Sequence, residues 1–96
     1  MARVIIQPKT DENLRVLIGI ALENQLRVLR SGIARTRRKL HELEVENEMS
    51  TDVFYQRYES GELGDDLTYI RWAGEYETLR RLEEDYQALQ ETELCS

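Results

Sequence analysis

Few residues of this 96-residue chain are of a kind that performs chemistry. It has one histidine, His41, and one cysteine, Cys95. A zinc or iron centre needs a set of His, Cys or carboxylate ligands brought together. One imidazole among charged neighbours and one thiol beside the C-terminus do not supply it. The stretch ESGELGDD has two glycines at close spacing, but no lysine–hydroxyl pair and no preceding strand, so it is not a phosphate loop. It lacks the alternating acids and closing glutamate of a calcium loop. Carboxylates are abundant, yet none lies in an apolar run that would raise its pKa for acid–base work. The expectation is therefore a protein with no catalytic residue, no metal and no cofactor, and not an enzyme. A single thiol makes no internal disulfide, which points to a reducing, cytoplasmic setting, with Cys95 most simply an unpaired thiol. The longest apolar run, VLIGIAL at 16–22, is far short of the roughly 20 residues a spanning helix needs. MARVIIQPKTDEN has no signal-peptide pattern.

What the sequence does offer is a recognition surface. FYQRYESGELGDDLTYIRWAGEY, residues 54–76, holds six of the seven aromatic residues. Large, stiff, amphipathic rings dominate binding hot spots, and they also plug helix corners. Phe54 and Tyr58 share a helix face, and Tyr69, Trp72 and Tyr76 form a second stripe. Two stripes exceed what one corner must bury. The reading divides them: Phe54, Tyr58 and Ile70 inward, and Tyr55, Tyr69 and Trp72 at least partly available to a partner, rimmed by Glu59, Glu62, Asp65 and Asp66.

The elements that position these residues follow from pattern and punctuation. RVIIQP reads as a short strand at 3–7, ended by Pro8. Thr10 then caps a helix predicted over 11–48, with Asp11 and Glu12 at its positive end. Leu22, Leu26, Leu29, Ile33, Thr36, Leu40 and Leu43 alternate by threes and fours, a heptad seam running straight through Gly32. Ser50 caps a short helix at 51–60, with Met49 and Phe54 placed as a hydrophobic staple. Gly61 ends it in a left-handed conformation. Asp65 is expected to cap a third helix at 66–93, with Asp66 in its first turn and Leu67, Ile70, Ala73, Leu79, Leu82, Tyr86 and Leu89 inward. The fold class is all-α: one domain, a long antiparallel, coiled-coil-like helical hairpin with a short corner helix and an N-terminal strand.

Two features point to a homo-oligomer. A lone strand has no partner in its own chain, and VLIGIAL is apolar on every helix face. Val4, Ile6, Ile18 and Leu22 are the expected interface.

Charge divides along the chain. Residues 1–40 carry nine Lys/Arg against three Asp/Glu, a net of +6; residues 41–96 carry four against sixteen, a net of −12. Arg27, Arg30, Arg35, Arg37, Arg38 and Lys39 form a stretch without an acid. Such a stripe is a nucleic-acid footprint in principle, with Arg35, Arg37 and Arg38 as its candidate contacts. Internal pairing is the stronger reading. An antiparallel third helix matches levels where two residue numbers sum to about 114, at about 1.5 Å per residue. That sets Glu83, Glu84 and Asp85 beside Arg30 and Arg27, and Glu75 and Glu77 beside Arg37 and Lys39. The opening strand and helix also resemble ribbon–helix–helix repressors, but the unbroken heptad departs from that fold.

MSTDVFYQRYESGELGDD followed by YIRWAGEYETLRRLEED, covering about residues 49–85, resembles a pattern in small helical bacterial and archaeal proteins. These are encoded in toxin–antitoxin-like gene pairs. The resemblance implies an antitoxin-like protein that binds and neutralises a toxin-like partner encoded beside it. Many antitoxins carry a recognisable DNA-binding domain; none is clear here, which puts autoregulation in doubt. The function expected is protein–protein interaction, with Tyr55, Glu62, Asp65, Asp66, Tyr69 and Trp72 at the partner site. A purely structural homo-oligomer and a small DNA-binding regulator are the alternatives.

Overall fold

The computed structural model describes residues 8–95, with side chains over 11–93. Three helices make up the fold: α1 (Pro8–Asn47), α2 (Thr51–Glu59) and α3 (Leu67–Cys95). α1 and α3 pack along each other as a hairpin and α2 closes the corner against α3, in a rod of 61 × 26 × 21 Å. The all-α hairpin matches the sequence reading. The strand expected at 3–7, with Val4 and Ile6, lies outside the described residues.

The N-terminal boundary of α1 is corrected. The helix begins at Pro8, not Asp11. Proline suits a first helical turn, because its φ is already helical and its missing N–H would have had no partner there. α1 then runs unbroken through Gly32, as the heptad requires. Its seam holds: Leu26, Leu29, Thr36 and Leu40 are buried, and Leu22, Ile33 and Leu43 are half-buried. The buried Thr36 hydroxyl donates to the Gly32 carbonyl at 2.8 Å, which satisfies it without a partner from α3. Gly32 also has a packing reason. A β-carbon there would stand 3.3 Å from a Leu82 methyl, so the glycine lets α3 come close.

Pairing between the helices follows the expected register. Gly32 meets Leu82, Lys39 Nζ lies 3.6 Å from Glu75, and Arg30 donates to the Tyr86 hydroxyl at 3.3 Å. One detail differs. Glu83 pairs with Arg37, not Arg30, reaching two turns along the groove, and Arg30 takes the phenol instead. Arg37 and Glu83 are both well exposed, so this pair selects register and contributes only about 0–1 kcal/mol.

Local chemistry sets the corner. Glu48 ends α1 in the left-handed region at φ 51, and the Met49 N–H reaches back to the Glu44 carbonyl at 3.2 Å. Ser50 caps α2 as expected, accepting from the Val53 N–H, and Met49 packs on the cluster that holds Phe54. At the other end Gly61 adopts φ 81, with Gly61 N–H to the Tyr58 carbonyl and Glu62 N–H to the Arg57 carbonyl. That paired arrangement satisfies the last carbonyls of α2.

α3 starts one residue later than expected. Asp66, not Asp65, is its cap: its carboxylate accepts from the Thr68 N–H at 2.8 Å. Its inward face is also corrected. Leu67 is 61% and Ile70 45% exposed. The seam instead begins with Tyr69, Trp72, Ala73 and Tyr76, and passes to Leu79, Leu82, Tyr86 and Leu89. Three helix ends diverging at a corner leave more volume than aliphatic side chains fill, and the rings fill it.

Glu48 offers a clean stability test. A side chain at positive φ costs about 1 kcal/mol more than glycine. Glycine also loses more entropy on folding. Glu48→Gly is expected to stabilise the fold by about 0.5–1 kcal/mol, read as a raised urea midpoint at constant m-value. An unchanged or lowered midpoint would reject the strain at this turn.

Candidate functional site

The corner is built from the rings inward. Phe54 and Trp72 are fully buried and stacked, with centroids 4.0 Å apart and planes within 2°. Tyr58 also stacks on Phe54 at 5.6 Å, and Tyr69 lies 5.8 Å from it. Leu40 and Ala73 complete the buried cluster. Trp72 brings one polar atom into this core, and that atom is paired: its indole N–H donates to Thr51 Oγ1 at 3.1 Å. Thr51 is buried in turn, and its backbone N–H donates to Glu44 Oε2 at 2.7 Å. One chain of contacts thus joins α1, α2 and α3 through Glu44, Thr51 and Trp72.

This arrangement overturns one expected role. Trp72 is not available to a partner; with no exposed surface it is the centre of the corner's core. Ile70, expected inward, faces solvent. Phe54 is inward as expected, and Tyr58 is half-buried. Tyr55 and Tyr69 are half-buried. Tyr55 packs against Tyr76 at 4.7 Å and donates its hydroxyl to Glu77 Oε2 at 2.8 Å. That bond to a carboxylate is the main cause that pushes its phenol up to about 12; burial and the Glu77 charge add to it.

Glu62, Asp65 and Asp66 are exposed, as expected. Glu62 lies 3.6 Å from Arg57, Asp66 caps α3, and Asp65 has no ion pair or side-chain hydrogen bond among the described residues. Beside them stand the exposed Leu67 and Ile70, which the periodicity had assigned inward. Sequence reasoning also missed Thr51 and Glu44. Thr51 carries no signal beyond its position after the Ser50 cap. Glu44 could have been noticed as an acid seven residues before a helix start.

The basic stretch divides into two sets. Arg30, Arg37 and Lys39 meet α3 at Tyr86, Glu83 and Glu75. Arg35 and Arg38 are exposed and make no ion pair or hydrogen bond among the described residues, while Arg27 bonds only to Asn24. Among the described residues no cluster of His, Cys, Asp or Glu could hold a metal, and no helix is long and apolar enough to cross a membrane. Ile18 is 49% exposed and Leu22 is half-buried. Both lie near the open end of the hairpin, away from the aromatic corner.

Two measurements check this account. Trp72, the one tryptophan, is expected to emit blue and resist quencher, and Trp72→Ala to cost about 3–5 kcal/mol. A red, readily quenched emission would remove it from the core.

The second concerns Tyr55. Its folded pKa lies above the unfolded value of about 10, so its neutral form favours the native state. That stabilisation is full below about pH 10 and is lost as pH rises through about 12. In an alkaline absorbance titration of the folded chain, one tyrosine is expected to ionise near pH 12, and Tyr55→Phe to abolish that late step. A late step that survives the substitution would reject the assignment.

No protein-family model, no curated protein and no solved structure matches the chain.

Proposed function

We propose that the chain is a non-enzymatic protein–protein interaction module. The observation behind this reading is the balance of its apolar side chains. Ten large ones are 41–64% exposed among the described residues, against six apolar residues buried. Exposed apolar patches rimmed by polar groups are characteristic of interaction surfaces. A short chain gains core most readily by burying such surface on another subunit or partner.

The partner surface proposed is the outer edge of the corner. Leu67 and Ile70 are its apolar anchors, Glu62, Asp65 and Asp66 its acidic rim, and Tyr55 and Tyr69 its flank. Trp72 supports this edge from beneath and does not touch the partner. The partner is a basic, toxin-like protein encoded beside this one, in keeping with the resemblance of residues 49–85 to antitoxin-like proteins. The setting is cytoplasmic. DNA binding is a second reading, favoured by Arg35 and Arg38, which face solvent with no ion pair among the described residues. The net charge of −6 opposes it.

Calorimetry with the purified product of the adjacent gene tests the first reading. Leu67→Glu with Ile70→Glu is expected to cost about 2 kcal/mol or more of affinity. Because both side chains are exposed, the melting temperature should stay within a few degrees. Neutralising Glu62, Asp65 and Asp66 should slow association, as added salt does. No complex, or one untouched by either set, would overturn the reading. A low-salt mobility shift that falls with salt by a log–log slope of about −0.9 per neutralised phosphate would favour DNA instead.

A further inference from the structure

Beside the buried seam, α1 and α3 leave a groove of about 640 Å³. Arg30, Ile33, Ala34 and Arg37 line it from α1. Glu83, Tyr86, Gln87 and Gln90 line it from α3. Both sets step by three and four, so each is one face of its helix. Arg30 and Arg37 stand about 10 Å apart along α1, at ~1.5 Å per residue. Ala34 lies between them, and its short side chain gives the groove its depth there. A longer side chain at that position would fill the space between the two arginine stems. Ile33 and Tyr86, both half-buried, add apolar surface.

The polar groups differ at the two ends. At one end Arg37 meets Glu83 as an ion pair. At the other, Arg30 meets a phenol rather than a carboxylate. It donates to Tyr86 Oη at 3.3 Å, with its guanidinium 6.0 Å from the ring centroid. Gln90 Nε2 donates to the same oxygen at 3.4 Å. Tyr86 Oη thus accepts twice, while its own O–H donates to no group among the described residues. A guanidinium, a carboxamide and a phenol therefore bring hydrogen-bond donors to one point.

We propose that this groove binds a small apolar monocarboxylate, its carboxylate on Arg30 and the Tyr86 hydroxyl and its apolar body along Ala34 and Ile33. The site goes beyond the interaction-module reading and does not depend on it.

A guanidinium presents its N–H groups in a planar fork that matches a carboxylate by two parallel bonds. The phenol oxygen engages only one of them, at the long end of hydrogen-bond range. A carboxylate is the stronger acceptor, and it can take a second N–H and the Tyr86 O–H together. Charge selects the class of anion. Glu83 lines the groove, and Glu23 and Glu93 act on Arg30 from the open end of the hairpin. These acids oppose a phosphate dianion more than a singly charged carboxylate, because the repulsion scales with the ligand's charge. An uncharged ligand would leave the fork unmatched. The groove's volume lies within the range of small-molecule sites, about 300–1,000 Å³.

Proton–nitrogen NMR of the full chain, titrated with 2-naphthoate, tests this. Saturable shifts are expected at the Ala34, Gln87 and Gln90 amides, with half-saturation near or below about 1 mM for a ligand of this size. 2-Naphthylmethanol, which has the same body without the charge, should bind about tenfold more weakly, and 2-naphthyl phosphate should also bind more weakly. Arg30→Gln should weaken naphthoate binding about tenfold. Arg30→Lys should recover only part of that loss, since it restores the charge but not the fork. Ala34→Leu should abolish binding by filling the groove. Both positions are exposed and lie away from the corner, so Trp72 emission should be unchanged in every variant. The proposal is overturned by the absence of a saturable shift up to about 10 mM naphthoate. Equal binding of the alcohol, or binding that survives Arg30→Gln or Ala34→Leu undiminished, would also overturn it. Tighter binding of the phosphate would overturn the assignment to a carboxylate.

Discussion

The stack of Phe54 on Trp72 is the contact on which the rest of the hairpin depends. The pair joins α2 to α3, Leu40 of α1 packs in the same buried cluster, and the pair's polar cost is met inside the same contact by the bond from Trp72 to Thr51. An indole N–H left without an acceptor at this depth would cost about 1–3 kcal/mol. Thr51 prevents that only because α2 begins where it does, and α2 begins there because Ser50 caps it and Glu44 holds the first N–H of the helix. The aromatic pair thus converts a local capping pattern into the angle at which α3 leaves the corner. Once that angle is fixed, the long seam from Leu40 outward follows.

Much of this was legible. The hairpin, the register near a sum of 114, the Ser50 cap, the left-handed Gly61 and the continuity of α1 through Gly32 all came from spacing and residue type. These features depend on neighbours in sequence or on one repeated period. The assignments that failed lie where three elements meet. Leu67 and Ile70 fit an inward aliphatic pattern, and Tyr69 and Trp72 read as partly available; in the fold Trp72 is buried and Leu67 and Ile70 are exposed. Periodicity says that two stripes exist but not which one faces the space left by diverging helix ends. Volume decides that, and only the corner's geometry supplies the volume. The same limit applies to Thr51, whose role exists only because Trp72 comes to it from another helix.

The charged residues teach a complementary lesson. The six cations between Arg27 and Lys39 look like one feature in the sequence. In the fold Arg30, Arg37 and Lys39 complete the groove with α3, and Arg35 and Arg38 face away from it. A helix turns a run of like charges into two faces with different neighbours, so the run has no single role. The exposed acids are likewise divided: Glu62 is in an ion pair and Asp66 caps α3, while Asp65 has no ion pair among the described residues.

The unequal length of the two long helices has a consequence for how the chain folds. Contacts at the corner join residues close in sequence, such as Phe54 and Trp72, whereas Gly32 and Leu82 near the middle are much farther apart. Closing the short loop costs the least entropy, so the corner is the natural nucleus, and the helices zip from it toward the open end. The open end is then the last to form and the first to fray. Any chain that engages the N-terminal turns of α1 acts on this least secure part. Its binding energy is spent against fraying, and the whole rod gains stability in proportion to how fully the open end is occupied.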